Sequence, residues 1–205
     1  MSALFQIHSL FPTPVYSGNI GRAITNDELK VVESHYSTAD KGTLNWHSKD
    51  SYILDHQLEN IKKFIDLHVQ QYVKNIICPN KKFDFYITQS WLNWTKEGEE
   101  HHAHRHPNSL LSGVFYISAD REKDSIIFQK NEYCQLQIYS SNKNDYNRLN
   151  RRIAVGSGDL LLFPSNLEHR VSAVVSSNVR ISLAFNVFAR GEFGSANNLT
   201  RLMVE

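Results

Sequence analysis

From Lys82 onward the chain is written in short segments rich in Val, Ile, Tyr, Phe and Trp, separated by turn residues. The spacing predicts strands near 83–95, 99–106, 111–118, 124–130, 134–139, 151–155, 159–163, 169–175 and 179–189. About nine strands with no long helix between them can bury their apolar faces only as a sandwich or barrel. The last segment carries the clearest alternation. Arg180, Ser182, Ala184 and Asn186 fall on one face, and Ile181, Leu183, Phe185 and Val187 on the other. The apolar face is expected to pack on helices or a second sheet. The polar and small face then points into the barrel.

The segment before Lys82 is different. Residues 4–17 read as a short strand or arm interrupted by Pro12 and Pro14. Asn26 is placed to cap a helix running to about Tyr36, with Asp27 and Glu28 in its first turn. Residues 37–50 read as a loop in which Trp46 and His47 cover solvent or line an entrance. Leu58, Ile61, Phe64, Ile65, Val69, Tyr72, Val73 and Ile76 recur at helical spacing and predict a helix over 57–77. Cys78-Pro79-Asn80 ends it, with Cys78 a packed helix-end residue and not a nucleophile. Residues 140–150 are polar and form a long loop, a candidate lid. No internal repeat or linker divides the chain. The expected organisation is one domain over 1–205: an N-terminal arm and helices over 1–82, a β core over 83–190 and a C-terminal tail over 191–205.

Composition narrows the function. The formal net charge is +1, so bulk charge gives no reason to expect a nucleic-acid partner. Two cysteines, Cys78 and Cys134, are too few for a disulfide framework. No apolar run is long enough to span a bilayer, and the first residues lack the pattern of a signal peptide. The expectation is a cytoplasmic protein with no membrane partner.

The chemistry concentrates in Glu99-Glu100-His101-His102-Ala103-His104-Arg105-His106-Pro107, which holds four of the ten histidines. If residues 99–106 are extended, His102, His104 and His106 share one face, and His101, Ala103 and Arg105 the other. Two imidazoles two apart on a strand can chelate one metal ion. His169 is the best third ligand, because it follows the glycine turn, buried strand and proline exit of 158–164. Arg180 on an inward face needs an anion. Arg180 and Ser182 together can hold one carboxylate, with a core acid such as Asp159 as the rival partner for the arginine.

His104-x-His106, His169 and Arg180-x-Ser182, in this order and spacing, resemble the 2-oxoglutarate/Fe(II)-dependent oxygenases. Trp91-Leu92-Asn93, His104-Arg105-His106-Pro107-Asn108-Ser109, Ser112–Tyr116, Gly158–Pro164 and Arg180–Asn186 are similar to a bacterial and phage subfamily with a His-x-His-Pro-Asn-Ser motif, and Phe11–Pro14 to its N-terminal arm. The resemblance covers nearly the whole chain. It implies a double-stranded β-helix, or jelly roll, with the N-terminal helices packed outside. It implies Fe(II) and 2-oxoglutarate as cofactor and cosubstrate, O2 as co-reactant, and succinate and CO2 as products. The default outcome is hydroxylation of an unidentified small molecule or protein side chain. It implies His104 and His169 as iron ligands, and Arg180, assisted by Ser182, as the holder of the distal carboxylate of 2-oxoglutarate. Asn93, on an inward face, is a candidate hydrogen-bond partner of the cosubstrate.

The usual ligand triad contains a carboxylate two residues after the first histidine, where this chain has His106. Two readings stand: His104, His106 and His169 all bind the metal, or His106 stands back and water completes the site. A cupin-type metal dioxygenase or isomerase shares the barrel and the histidine spacing, but has no general need for Arg180-x-Ser182. A non-enzymatic β-sandwich with a structural zinc is the third reading, and such sites usually close with four ligands, often cysteine.

Overall fold

The computed structural model describes residues 5–130, 138–175 and 177–205. Among the described residues twelve strands form two antiparallel sheets. The larger contains β1 (Tyr16–Asn19), β9 (Asp159–Pro164), β6 (Leu111–Ser118), β11 (Arg180–Phe193), β4 (Phe83–Thr95), β3 (Trp46–His47) and β2 (Asp40–Lys41) in that order, with β12 (Leu202–Val204) paired to β11. The smaller runs β5 (His101–His104), β10 (His169–Val171), β7 (Ser125–Gln129) and β8 (Asn150–Ala154). Strands consecutive in sequence alternate between the sheets through β5, β6 and β7, and β8, β9, β10 and β11. This is the jelly-roll arrangement that the family resemblance implies, within the sandwich or barrel expected from the segment pattern.

Alternation along each strand builds two apolar layers. Leu183, Phe185 and Val187 of β11, Leu160 and Leu162 of β9, and Phe115 and Ile117 of β6 face outward from the larger sheet. They meet Ile61, Ile65, Val69 and Tyr72 of α3 (Glu59–Tyr72), together with Ile53 and Leu54 of α2 (Ile53–His56) and Val32 of α1 (Asn26–Tyr36). These helices therefore cover the outside of the β core. Burying each large aliphatic side chain there contributes about 1.5–3 kcal/mol. The alternate residues Leu161 and Phe163 of β9 and Tyr116 of β6 point the other way, and pack with Ile126 and Phe128 of β7 between the sheets.

One cross-strand pair in the outer layer depends on glycine. Gly113 stands opposite Phe185, and a Cβ there would lie 2.1 Å from the Phe185 ring. Phe185 is fully buried and has nowhere to move. Gly113→Ala is therefore expected to destabilise the fold by about 1–3 kcal/mol, the usual cost of overpacking. A lowered urea midpoint at unchanged slope would show it.

Several local expectations are corrected. The cap of α1 is Thr25, not Asn26: the Thr25 side chain accepts from the Glu28 N–H, and Glu28 reaches back to the Thr25 N–H. The long helix begins at Glu59 because Leu58 is left-handed, with φ 58°, and it ends in a π-turn over Val73–Ile77. That turn breaks the helical phase and leaves Ile76 exposed. Cys78 is exposed and not packed, its thiol 3.1 Å from the Lys74 carbonyl. Residues 40–41 and 46–47, read as loop, form the short strands β2 and β3, with β2 at the sheet edge. The first strand is limited to 16–19, since Pro12 and Pro14 cannot donate to a ladder. The tail is tied back: β12 pairs with the end of β11. The segment expected at 134–139 falls mostly outside the described residues, as does Cys134.

Candidate metal centre

His104 ends β5 and lies directly across the ladder from His169, the first residue of β10. Their ring centroids are 4.4 Å apart. His106 is not on the strand, as the sequence suggested; it sits in the loop that leaves β5. Its backbone N–H donates to the Ser165 carbonyl at 3.0 Å, which fixes that loop against the turn preceding His169. The His106 ring stacks on His169, with centroids 5.2 Å apart and planes at 6°, and lies 5.8 Å from the Trp91 ring. One nitrogen from each of His104, His106 and His169 falls within 4.8 Å of the others.

Hydrogen bonds set which nitrogens are offered. His104 Nδ1 lies 2.8 Å from its own strand's His102 carbonyl, and His169 Nδ1 lies 3.0 Å from the Leu167 carbonyl. A carbonyl can only accept, so both Nδ1 atoms carry hydrogen and both Nε2 lone pairs are free. Asn186 acts on the His106 ring, opposing the effect of burial on its pKa. The Asn186 oxygen in turn accepts from Ser112 at 3.0 Å, and Ser112, Ser165 and Ser109 form a hydroxyl chain at 2.9 and 2.8 Å. This buried network adjoins His106.

Burial holds the rings neutral. It pushes His169 down to about 3, aided by His104, and His106 down to about 4, and it lowers His104 as well. His101 is likewise pushed to about 3, first by burial and then by His104. A neutral imidazole is the ligand form. In the unfolded chain these histidines take protons near pH 6.5, while in the folded metal-free chain they stay neutral down to about 3 to 4. Between those limits the unfolded state binds more protons. Stability of the metal-free protein should therefore be complete above the unfolded value and fall as pH drops from about 6.5 towards 4. Each of these histidines contributes a slope of at most about 1.4 kcal/mol per pH unit. Urea midpoints across that range check this; a flat profile would mean that the rings accept protons without unfolding.

The rest of the inner face is built by register. Ser182 of β11 stands between Asn93 of β4 and Tyr116 of β6. Asn93, Ser182 and Tyr116 line the same cavity as His104, His106 and His169. Beyond Ser182 along β11 lies Arg180, 2% exposed. Its Nη1 donates to Asp124 Oδ1 at 3.0 Å and to the Ser172 carbonyl at 2.8 Å. The acid that pairs with Arg180 is thus Asp124, also buried, and not Asp159. Asp159 instead accepts from Arg121, Asn19 and the Gly156 N–H. Two polar atoms on this inner face have no partner among the described residues: Arg180 Nη2 and the Tyr116 hydroxyl. Burial raises the Tyr116 phenol, so it stays protonated and available as a donor.

Outside the three histidines a second depression of about 630 Å³ opens to solvent, within the range of small-molecule sites. Asp40, Asn45, His47, Lys49, Trp91 and Arg105 are among its walls. His47 thus lines an entrance, while Trp46 packs against Tyr36. The buried Asn45 amide nitrogen there has no described partner. Sequence reading placed Asn186 on the inward face without giving it a role, and missed Tyr116, Asp124 and Asn45. For Tyr116 a signal existed, since Ser112, Val114 and Tyr116 alternate with the apolar outward set. For Asp124 and Asn45 there was none, because each acts through a partner remote in sequence.

A family model described as "Putative 2OG-Fe(II) oxygenase" matches residues 89–186, the stretch holding all three histidines, Arg180 and Ser182. No curated protein matches the chain in sequence. Solved structures share the fold at low identity. A Pseudomonas putida prolyl-4-hydroxylase is 11% identical at a TM-score of 0.56, covering 87% of this chain and 94% of its own. HygX from Streptomyces hygroscopicus, solved with nickel, 2-oxoglutarate and hygromycin B bound, is 11% identical at 0.56, with 85% and 82% covered. SnoK, a non-heme alpha ketoglutarate dependent carbocyclase from nogalamycin biosynthesis, is 13% identical at 0.55, with 94% and 90% covered.

Proposed function

We propose that this chain, which belongs to the 2-oxoglutarate/Fe(II) oxygenase superfamily, holds Fe(II) on His104, His106 and His169 and hydroxylates a small molecule seated in the outer cleft. The observation that carries the reading is the pairing of two unsatisfied features on one inner face. Three neutral imidazoles converge, and one row further in, Arg180 Nη2 and the Tyr116 hydroxyl have no partner among the described residues. Buried donors without acceptors are costly. A dicarboxylate reaching from the metal towards β11 satisfies both.

In this reading Arg180 is the cation and Tyr116 the neutral donor for the distal carboxylate of 2-oxoglutarate, with Ser182 and Asn93 lining its length. Asp124 keeps Arg180 in place through Nη1 and leaves Nη2 for the cosubstrate. Asn186, on its serine chain, acts on the His106 ring, and Phe163, packed on His169 at 4.7 Å between centroids, keeps water from that side. When bound, Fe(II) with 2-oxoglutarate would supply the activation of O2, one oxygen atom going to succinate and the other to the substrate, with release of CO2. Three neutral ligands leave Fe(II) its full double charge, which favours a dianionic cosubstrate.

Calorimetry of 2-oxoglutarate with and without a divalent metal tests the reading. Binding is expected only in the presence of metal. Equal binding in both conditions, or none in either, would remove the oxygenase assignment and favour a cupin-type metal site.

A further inference from the structure

The ladder between β5 and β10 contains an irregularity that the iron reading does not use. His169 pairs with His104, but Val171 pairs with His101, so β5 carries one residue more than its partner. Such a bulge breaks the alternation of faces. It brings His101 to the side of His104, where their rings stack with centroids 4.5 Å apart at 22°. His102 remains exposed, its ring 5.2 Å from His101 and 5.3 Å from His104. One ligand nitrogen from each of His101, His102 and His104 lies within 4.8 Å of the others. Among the described residues, neither the His101 nor the His102 ring has a hydrogen-bond partner. All three border the outer cleft.

We propose that His101, His102 and His104 form a second divalent-cation seat that takes Zn2+ or Cu2+ and excludes iron from the first. This rests on His104, His106 and His169 being the iron seat. Exclusion follows from His104 itself. Its Nδ1 is committed to the His102 carbonyl, so it offers one lone pair, and one lone pair cannot serve two ions. The donor set selects the ion. Three imidazoles without a carboxylate favour Zn2+ and Cu2+ over Mg2+ or Ca2+. Ligand nitrogens about 2.0–2.1 Å from zinc fall inside the 4.8 Å that bounds this cluster. The exposed His102 ring is free to rotate towards the ion. An ion held there draws His104 away from the inner seat and stands in the mouth of the cleft, so it inhibits twice over.

Zinc titration of metal-free protein against a chromophoric chelator separates the two seats. His169→Ala removes a ligand of the inner seat only, and His102→Ala one of the outer seat only. His169→Ala is expected to bind one Zn2+ per chain, and the double variant His169→Ala/His102→Ala to bind it at least about tenfold more weakly. His106→Ala and His106→Ala/His102→Ala repeat the comparison without disturbing the buried His169, with circular dichroism confirming the fold of each variant. If the double variants bind zinc as tightly as the singles, or the folded singles bind none, the second seat does not exist. Metal-dependent 2-oxoglutarate binding by the unaltered chain is measured separately, so failure of the iron reading and failure of this one are distinguishable.

Discussion

Arg180→Ala is expected to abolish 2-oxoglutarate binding and to destabilise the protein by about 3–5 kcal/mol. The two effects have different origins. Arg180 and Asp124 form a fully buried ion pair, each side chain 2% exposed. Removing the arginine strands a carboxylate whose remaining described contact is the Asp120 N–H at 2.9 Å. That isolated charge, not the lost contact, is the source of the instability. The loss of binding comes from Nη2, which has no partner among the described residues. A double variant, Arg180→Ala/Asp124→Ala, removes both charges and should regain most of the stability while remaining unable to bind 2-oxoglutarate. If binding returns with stability, Arg180 is structural only. If metal binding is lost to the same extent as 2-oxoglutarate binding in the folded double variant, the division of labour proposed for β11 is wrong.

The second large effect is expected at His106. His106→Ala should weaken Fe(II) binding more than roughly 100-fold, beyond the 10–100-fold typical when an outer-shell partner of a ligand is lost. Asn186→Ala, which removes a polar side chain that acts on His106, should fall within that smaller range. The comparison decides between the two readings of the missing carboxylate. A direct ligand costs more than its support, whereas a histidine that stands back behind a water costs no more than its support. Equal and small losses in the two variants, measured by competition with a chromophoric chelator, would place water in the position of His106.

These two residues also show how unevenly the site was legible. The inward face of β11 was plain, because strand alternation is a local rule and the sheet obeyed it from Arg180 to Asn186. That an inward arginine needs an acid was equally plain, but which acid was not. Asp159 looked suitable because it lies near in the motif order. The fold commits it to Arg121, and brings Asp124, the residue before β7, to Arg180 instead. His104 and His169 were legible as partners from the motif order together with the family resemblance, and the register puts them face to face. His106 was selected for the wrong reason. It shares the site not by strand alternation but because the loop after β5 is held to Ser165.

What the sequence by itself determined is what periodicity and chemical type can carry: short alternating strands that must close on themselves, a helical stripe over 58–73 to cover them, and histidines with an arginine and serine at the spacing of a metal and carboxylate site. What only the tertiary structure decided are relations between distant segments. The bulge in β5 is the sharpest case. Read as a regular strand, Glu99–Pro107 turns His101 away from His104; with one extra residue against β10, His101 comes to lie on it. Nothing in the run itself encodes that residue, because a bulge is a property of two strands paired together, and the partner strand lies more than sixty residues further along the chain.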